Sequence, residues 1–323
     1  MTQILTVSDP NTLRAAVEAL RRGEAVAVPT ETVYGLAADA TNPSAITAIY
    51  EAKGRPRFNP LISHVSDMDM ARAHVLFTPL AEKLAAAFWP GPLTLVLPLN
   101  PDGGIHELAT AGLETAAVRI PEGFARTLIK SFGGPLAAPS ANRSGRISPT
   151  SARHVADDLD GRINLVLDGG PCRVGVESTI LAVNGDKLTL LRPGGIPVDA
   201  IETAAGVAVD RPGPDAQTSV IAPGMLKSHY APDAALRLNA TSVLPGEAIL
   251  QFGGKPLDGQ DKASLVLDLS PLGDLREAAA NLFSMLKRAD ASQATGIAVA
   301  PVPQHGLGEA INDRLNRAAA PRD

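Results

Sequence analysis

Three cations stand within five residues in Lys53-Gly54-Arg55-Pro56-Arg57, and the segment continues as Phe58-Asn59-Pro60. Its glycine and two prolines hold the chain off a helical path, so the cations project from a fixed loop. Such a cluster suits a polyanion like triphosphate, to which arginine gives bidentate contacts and lysine a point charge. It also reads as a solvated basic turn that relaxes a helix dipole. Four more segments are polar, three of them punctuated by glycine or proline: Pro29-Thr30-Glu31-Thr32-Val33-Tyr34-Gly35, Pro139-Ser140-Ala141-Asn142-Arg143-Ser144-Gly145, Glu177-Ser178-Thr179-Ile180 and Arg192-Pro193-Gly194-Gly195. Their hydroxyls, amides and carboxylates can orient a small polar ligand, or equally cap helices and close turns. Ser148-Pro149-Thr150 leads from the second of these into a helix, whose N-terminus faces anions. Arg119 lies inside the apolar run 116–120, where burial is costly without an anionic partner; a ligand carboxylate could supply one. His64 lies likewise within 61–65, as a satisfied core imidazole or a ligand contact.

Several chemistries are missing. No Gly-rich loop ends in Gly-Lys-Ser/Thr, no His-Glu-x-x-His occurs, and no serine sits in a nucleophile elbow. Six histidines are scattered, and Cys172 is the sole cysteine, which excludes an internal disulfide or a multi-cysteine metal site. What remains is cations for phosphates, with hydroxyls and amides for small polar groups. That is the equipment of an enzyme that positions ATP and a small acid and works by electrostatics.

The elements that must hold these residues alternate. Over 323 residues the spacing predicts strands at 25–28, 61–65, 93–97, 116–120, 136–138, 163–167, 179–183 and 188–191. Helices are expected from an Asp9-Pro10 cap to Gly23, from about Ser44 to Gly54, and from Thr78-Pro79 to Trp89. These make an α/β sheet domain over 1–205. Pro/Gly-rich residues 206–232 read as a linker, and a smaller α/β domain follows over 233–323, with helices at 275–288 and 309–319. Ligands of open α/β sheets bind beyond strand ends, where the polar segments fall. With 29 Lys+Arg against 34 Asp+Glu the net charge is −5, and 3% of residues are aromatic. Both weigh against a broad nucleic-acid surface. No apolar run is long enough for a membrane span, and Met1-Thr2-Gln3-Ile4-Leu5 lacks a secretory leader, so a cytoplasmic protein is expected.

The strings Pro-Thr-Glu-Thr-Val-Tyr-Gly-Leu at 29–36, Lys-Gly-Arg-Pro at 53–56 and Asn-Pro-Leu at 59–61 resemble the YrdC-like threonylcarbamoyl-AMP synthases. So do Trp89-Pro90-Gly91-Pro92-Leu93-Thr94, Pro139-Ser140-Ala141-Asn142, Glu177-Ser178-Thr179-Ile180 and Arg192-Pro193-Gly194. Ala222-Pro223-Gly224-Met225 and His229-Tyr230-Ala231-Pro232 match the long, two-domain form of the family. The resemblance implies a twisted mixed-sheet domain with a concave, positively charged face, joined to a Rossmann-like domain by a linker that closes over the active site. It implies conversion of L-threonine, bicarbonate and ATP into threonylcarbamoyl-AMP and pyrophosphate, for a separate complex to transfer to an adenosine of tRNA. By motif, Thr32, His64, Arg119, Ala138 (through its backbone) and Ser178 would surround L-threonine. Lys53 and Arg55 would be catalytic and, with Asn59, engage the triphosphate. Thr115, Ser140, Asn142, Ser148 and Arg192 would line the nucleotide side, with Tyr230 closing over it. Mg²⁺ would come with the ATP phosphates and have no protein ligands. Two alternatives stand beside this: a related carbamoyltransferase, whose Cys-rich zinc modules one cysteine rules out, and an RNA-binding module using Lys53, Arg55 and Arg57 on tRNA.

Overall fold

The computed structural model describes residues 2–211 and 229–321. The first eleven of its strands are β1 (Gln3–Thr6), β2 (Val26–Val28), β3 (Gly35–Asp39), β4 (Ile62–His64), β5 (Leu93–Pro98), β6 (Thr115–Arg119), β7 (Leu136–Ala137), β8 (Leu165–Asp168), β9 (Thr179–Asn184), β10 (Lys187–Arg192) and β11 (Val209–Asp210). They form one sheet in the order β1-β8-β2-β3-β7-β4-β6-β5-β9-β10-β11. The sheet is mixed: β4–β6 and β5–β9 are parallel, β5–β6 and β9–β10 antiparallel. A second sheet holds β12 (Leu236–Arg237), β13 (Ala248–Gln251), β14 (Leu265–Asp268) and β15 (Ile297–Val299) in the order β12-β15-β13-β14, every pair parallel. That is the expected pair, a large mixed sheet and a small Rossmann-like one.

Ten α-helices are described: α1 (Thr12–Arg21), α2 (Pro43–Lys53), α3 (Met68–His74), α4 (Pro79–Phe88), α5 (Glu107–Thr110), α6 (Gly123–Phe132), α7 (Ala152–Leu159), α8 (Val198–Ala205), α9 (Leu275–Ala291) and α10 (Leu307–Ala319). Among the described residues none is long and apolar enough to cross a membrane. The cap of α2 is Asn42, whose Oδ1 accepts from the Ser44 and Ala45 amides, so the helix starts at Pro43, one residue before the expected Ser44. Asp9 is not the cap of α1: its Oδ1 accepts from Asn11 N at 2.8 Å in a local turn, and the helix starts at Thr12. Several elements escaped the periodicity, among them β1, β3, α3, α5, α6 and α8. Strand β3 is Gly-Leu-Ala-Ala-Asp, with no β-branched residue to announce it. Helix α6 follows Pro121-Glu122 with no side-chain cap to announce it.

Strand alternation decides which side chains face the helices. On β6, Ala116 and Val118 join the large core with α2 and α4 residues, while Ala117 turns to a second apolar cluster with Ile62, Val96, Ile180 and Leu191. Thr115 and Arg119 share the face of Ala117, and His64 shares that of Ile62. Arg119 is thus the last residue of its strand, on the face away from the helix-covered core.

The sheet runs to Asp210, because β11 pairs with β10. Of the expected linker, residues 212–228, including Ala222-Pro223-Gly224-Met225, lie outside the described residues. Val33, Ile147, Val176 and Tyr230 belong to the apolar cluster built around α9, β13 and β15, so loops of the first unit pack into the core of the second. Gly175 makes this contact close. At φ +76°, a Cβ there would collide with Ala280 Cα and the Ala279 carbonyl of α9. Gly175→Ala therefore combines backbone strain with a helix displaced from its seat. It should lower unfolding free energy by about 3 kcal/mol, read by urea titration, whereas a loss below about 1 kcal/mol would show that α9 yields freely.

Candidate active site

A cavity of about 50 Å³ opens beyond the C-terminal ends of β4, β6 and β10. Thr30 and Thr32 reach it from the loop after β2, Ala138 and Ser140 from the loop after β7. Glu177 and Ser178 precede β9, Arg55 follows α2, and His229 with Tyr230 close another side.

Arg119 anchors one end. Its Nε donates to the Gly91 carbonyl at 3.0 Å, its Nη1 to Thr32 Oγ1 at 3.0 Å, and its Nη2 lies 2.5 Å from Glu31 Oε1. The anion that a buried arginine demands is thus supplied by the protein's own Glu31, where the sequence pointed to a ligand carboxylate. Thr32 Oγ1 also pairs with Thr30 Oγ1 at 2.8 Å. Burial, and after it the charge of Arg119, push the His64 imidazole down to about 3, so it is neutral at pH 7. Its Nδ1 is buried without a hydrogen-bond partner.

Ser178 joins this end to the next. Its hydroxyl pairs with Thr94 Oγ1 at 2.7 Å, and Arg192 Nη2 donates to its carbonyl at 2.9 Å. The β9–β10 register shifts between Leu190 and Arg192, a bulge that turns the arginine toward Ser178. Arg55 donates from Nε to the Asn59 carbonyl at 3.2 Å and from Nη2 to the Pro60 carbonyl at 2.9 Å, and burial lowers it to about 10.

Five of the expected residues do not line the cavity. Lys53 is buried, and its ammonium donates to the Ser140 and Asn142 carbonyls, pinning the loop after β7. Burial, then the charge of Arg55, hold it well below the ordinary lysine value. Asn142 donates from Nδ2 to the Arg143 and Arg146 carbonyls at 2.8 Å each. Asn59 is buried beneath Arg55. Ser148 Oγ donates to Glu177 Oε1 at 2.5 Å. Thr115 starts β6, and because Ile62 pairs with Ala117, it falls alongside Pro60 at the Arg55–Asn59 loop. The other nine, Thr32, Arg55, His64, Arg119, Ala138, Ser140, Ser178, Arg192 and Tyr230, are brought together.

This arrangement sits on a fold with known relatives. The Sua5–YciO–YrdC family model, described as telomere recombination, matches residues 18–194, and that of the threonylcarbamoyl-AMP synthase C-terminal domain matches residues 196–320. The chain belongs to the two-domain YrdC-like family. It is 44% identical to the threonylcarbamoyl-AMP synthase of Bacillus subtilis, over 100% of this chain and 96% of that protein. It is 41% identical to that of Pyrococcus abyssi, over 96% and 94% respectively. The crystal structure of P. abyssi Sua5 complexed with L-threonine superposes with a TM-score of 0.88 at 38% identity, covering 98% of both chains.

Within this family fold, sequence reasoning missed three partners. Glu31 was read only as part of a polar loop, and Glu177 only as part of a motif. Arg314, on α10, donates from Nε to Glu177 Oε2 at 2.9 Å. Its signal was present: Ala310, Ile311, Leu315 and Ala318 form a buried stripe on α10, and Arg314 occupies a stripe position.

His229 is also lowered to about 3, mainly by burial. Both imidazoles stay neutral in the folded chain down to that pH, while the unfolded chain takes up protons near 6.5. The contribution is therefore absent above pH 6.5 and destabilising as pH falls below it, by up to ~1.4 kcal/mol per pH unit for each histidine. His74 and His154, lowered by burial too, act in the same direction. Urea unfolding between pH 6.5 and about 5, above the ordinary carboxylate range, should show this slope. His64→Asn should reduce it, and an unchanged slope would mean His64 is charged in the fold.

Proposed function

We propose that the chain is an L-threonylcarbamoyladenylate synthase and, by class, a nucleotidyltransferase. The observation that carries this reading is its full-length likeness to a protein solved with L-threonine. In the proposed reaction, L-threonine and bicarbonate lose water to give N-carboxy-threonine. The new carboxylate attacks the α-phosphate of ATP, and pyrophosphate leaves as threonylcarbamoyl-AMP forms. A separate complex then transfers the threonylcarbamoyl group to an adenosine of tRNA, so the reading carries a cytoplasmic location.

The roles follow the chemistry of each group. Arg119 is read as holding the threonine carboxylate, with Thr32, Ser178 and the Ala138 backbone around the amino acid. A neutral His64 adds no positive charge beside Arg119, so it tolerates the threonine amine. Arg55 is read as engaging the triphosphate, with Lys53 and Asn59 buried beside it and ordering the loops that present it, and Mg²⁺ enters as part of MgATP. Ser140 and Arg192 are read as the nucleotide side, backed from behind the wall by Thr115, Asn142 and Ser148, with Tyr230 over it. Residues Thr115 and Arg119 stand at opposite ends of one face of β6, roughly 13 Å apart at a strand's rise per residue, which leaves room for a phosphate between a triphosphate end and an amino-acid end. Catalysis on this reading is positioning and charge stabilisation, with no protein nucleophile.

Mass spectrometry of a reaction with protein, MgATP, bicarbonate and L-threonine, each omitted in turn, should give a threonylcarbamoyl-AMP peak that needs every component. ATP hydrolysis alone, or a salt-dependent tRNA affinity without product, would overturn the reading. Arg119→Lys keeps a charge beside Glu31 but loses the fork. It should raise the threonine KM about tenfold or more, the value of one charged hydrogen bond, with the ATP KM little changed.

A further inference from the structure

Arg314 is the most deeply buried charged side chain among the described residues, at 0% exposure, and it comes from the C-terminal sheet's own helix α10. Three segments of the cavity wall meet it. Its Nε donates to Glu177 Oε2 at 2.9 Å, and its Nη1 donates to the carbonyl of Pro193, next to Arg192, at 2.7 Å. Its guanidinium carbon lies 5.3 Å from the ring centroid of Tyr230, within cation–π range. The far oxygen of Glu177 accepts from Ser148 Oγ at 2.5 Å. Asp313 Oδ2, 2.8 Å from Arg314 Nη1, orients the guanidinium from its own helix.

We propose that Arg314 is a positioning residue through which the C-terminal domain sets the nucleotide side of the cavity, by fixing Glu177 and through it Ser148, the Arg192–Pro193 turn and the Tyr230 ring. The proposal rests on the reading of this cavity as an ATP–threonine site. Its physical basis is that a buried carboxylate without its cation must either protonate, which weakens its charged hydrogen bond from Ser148, or swing toward water, which breaks it. The groups facing Glu177 are Arg314 and Asp313 from α10, Arg192 from β10, Ser148 from its loop, and His229 and Tyr230 beyond. Burial works against ionisation of Glu177, yet Arg314, and after it Arg192, outweigh burial and hold its carboxyl below the ordinary value. Without Arg314 the largest opposing charge is gone, and the carboxyl titrates at higher pH.

The test compares the full chain with Arg314→Met, Arg314→Lys, Glu177→Gln and the double variant Glu177→Gln/Arg314→Met, reading kcat, both KM values, the pH profile and ATP binding by calorimetry. Arg314→Met should lose about 100-fold in kcat/KM for ATP, the scale of an ångström-sized misplacement. Its acid limb should move up by about one pH unit or more, with the threonine KM less affected. Arg314→Lys, which keeps the charge but not the fork, should restore the acid limb and part of the rate. The double variant, which leaves no unpaired carboxylate, should fold even if Arg314→Met does not, and should be no worse than the poorer single variant because the two residues act as one unit. Wild-type ATP binding, kinetics and pH profile in folded Arg314→Met, or additive losses in the double variant, would overturn the proposal. If the wild type makes no product but binds ATP, the synthase reading fails while the change in ATP affinity still decides on Arg314; a wild type that binds no ATP overturns both.

Discussion

The cavity depends on a concentration of positive charge kept out of water. Lys53, Arg55, Arg119, Arg192 and Arg314 are each no more than 9% exposed, and the buried carboxylates among them are Glu31 and Glu177. Cations in excess of carboxylates must find other oxygens, because a buried charge without partners is untenable. Backbone carbonyls supply them: those of Ser140 and Asn142 for Lys53, Asn59 and Pro60 for Arg55, Gly91 for Arg119, Ser178 for Arg192 and Pro193 for Arg314. Each such bond ties a loop to its neighbour, so the charge that suits the site for anions also holds its walls in register.

A mixed sheet makes that convergence feasible. Strands β4 and β6 run parallel, so their C-terminal residues His64 and Arg119 pair side by side at one edge of the cavity. Antiparallel pairing of β9 and β10 brings Arg192, at the end of one strand, back beside Ser178, just before the other. The loop after β7 enters because β7 pairs with both β3 and β4. The C-terminal sheet then closes the structure from outside. Its core takes in Val33, Ile147, Val176 and Tyr230, so the wall of the cavity and the interior of the second unit are one packed body. Tyr230 shows the consequence, stacked on Phe283 of α9 at 5.4 Å while lining the cavity.

Much of this was legible in the residues. Short apolar runs marked β2, β4, β5, β6, β9 and β10, and Asp/Ser/Thr before apolar periodicity marked the starts of α1, α2, α4 and α7 within a few residues. The polar segments at strand ends were recognisable by type, and nine of the fourteen named residues do line one cavity. Strand β3 and helix α6 were not legible, because alanine-rich β3 has weak strand preference and α6 has no capping side chain. Nor was the environment of Lys53, whose sequence context is the same whether its ammonium meets phosphate or two carbonyls.

The sequence by itself determined which residue types stand at strand ends, the period-2 faces on which Thr115, Arg119 and His64 lie, and membership of a family with two α/β units. These are local properties, set by side-chain chemistry and backbone period. Only the tertiary structure decided that Arg119 meets Glu31 and that Glu177 meets Arg314, pairs whose members stand far apart along the chain. Periodicity carries no information on such pairs, because it is the closing of the sheet and the docking of α9 and α10 that remove water from both ions and make each the other's necessary partner.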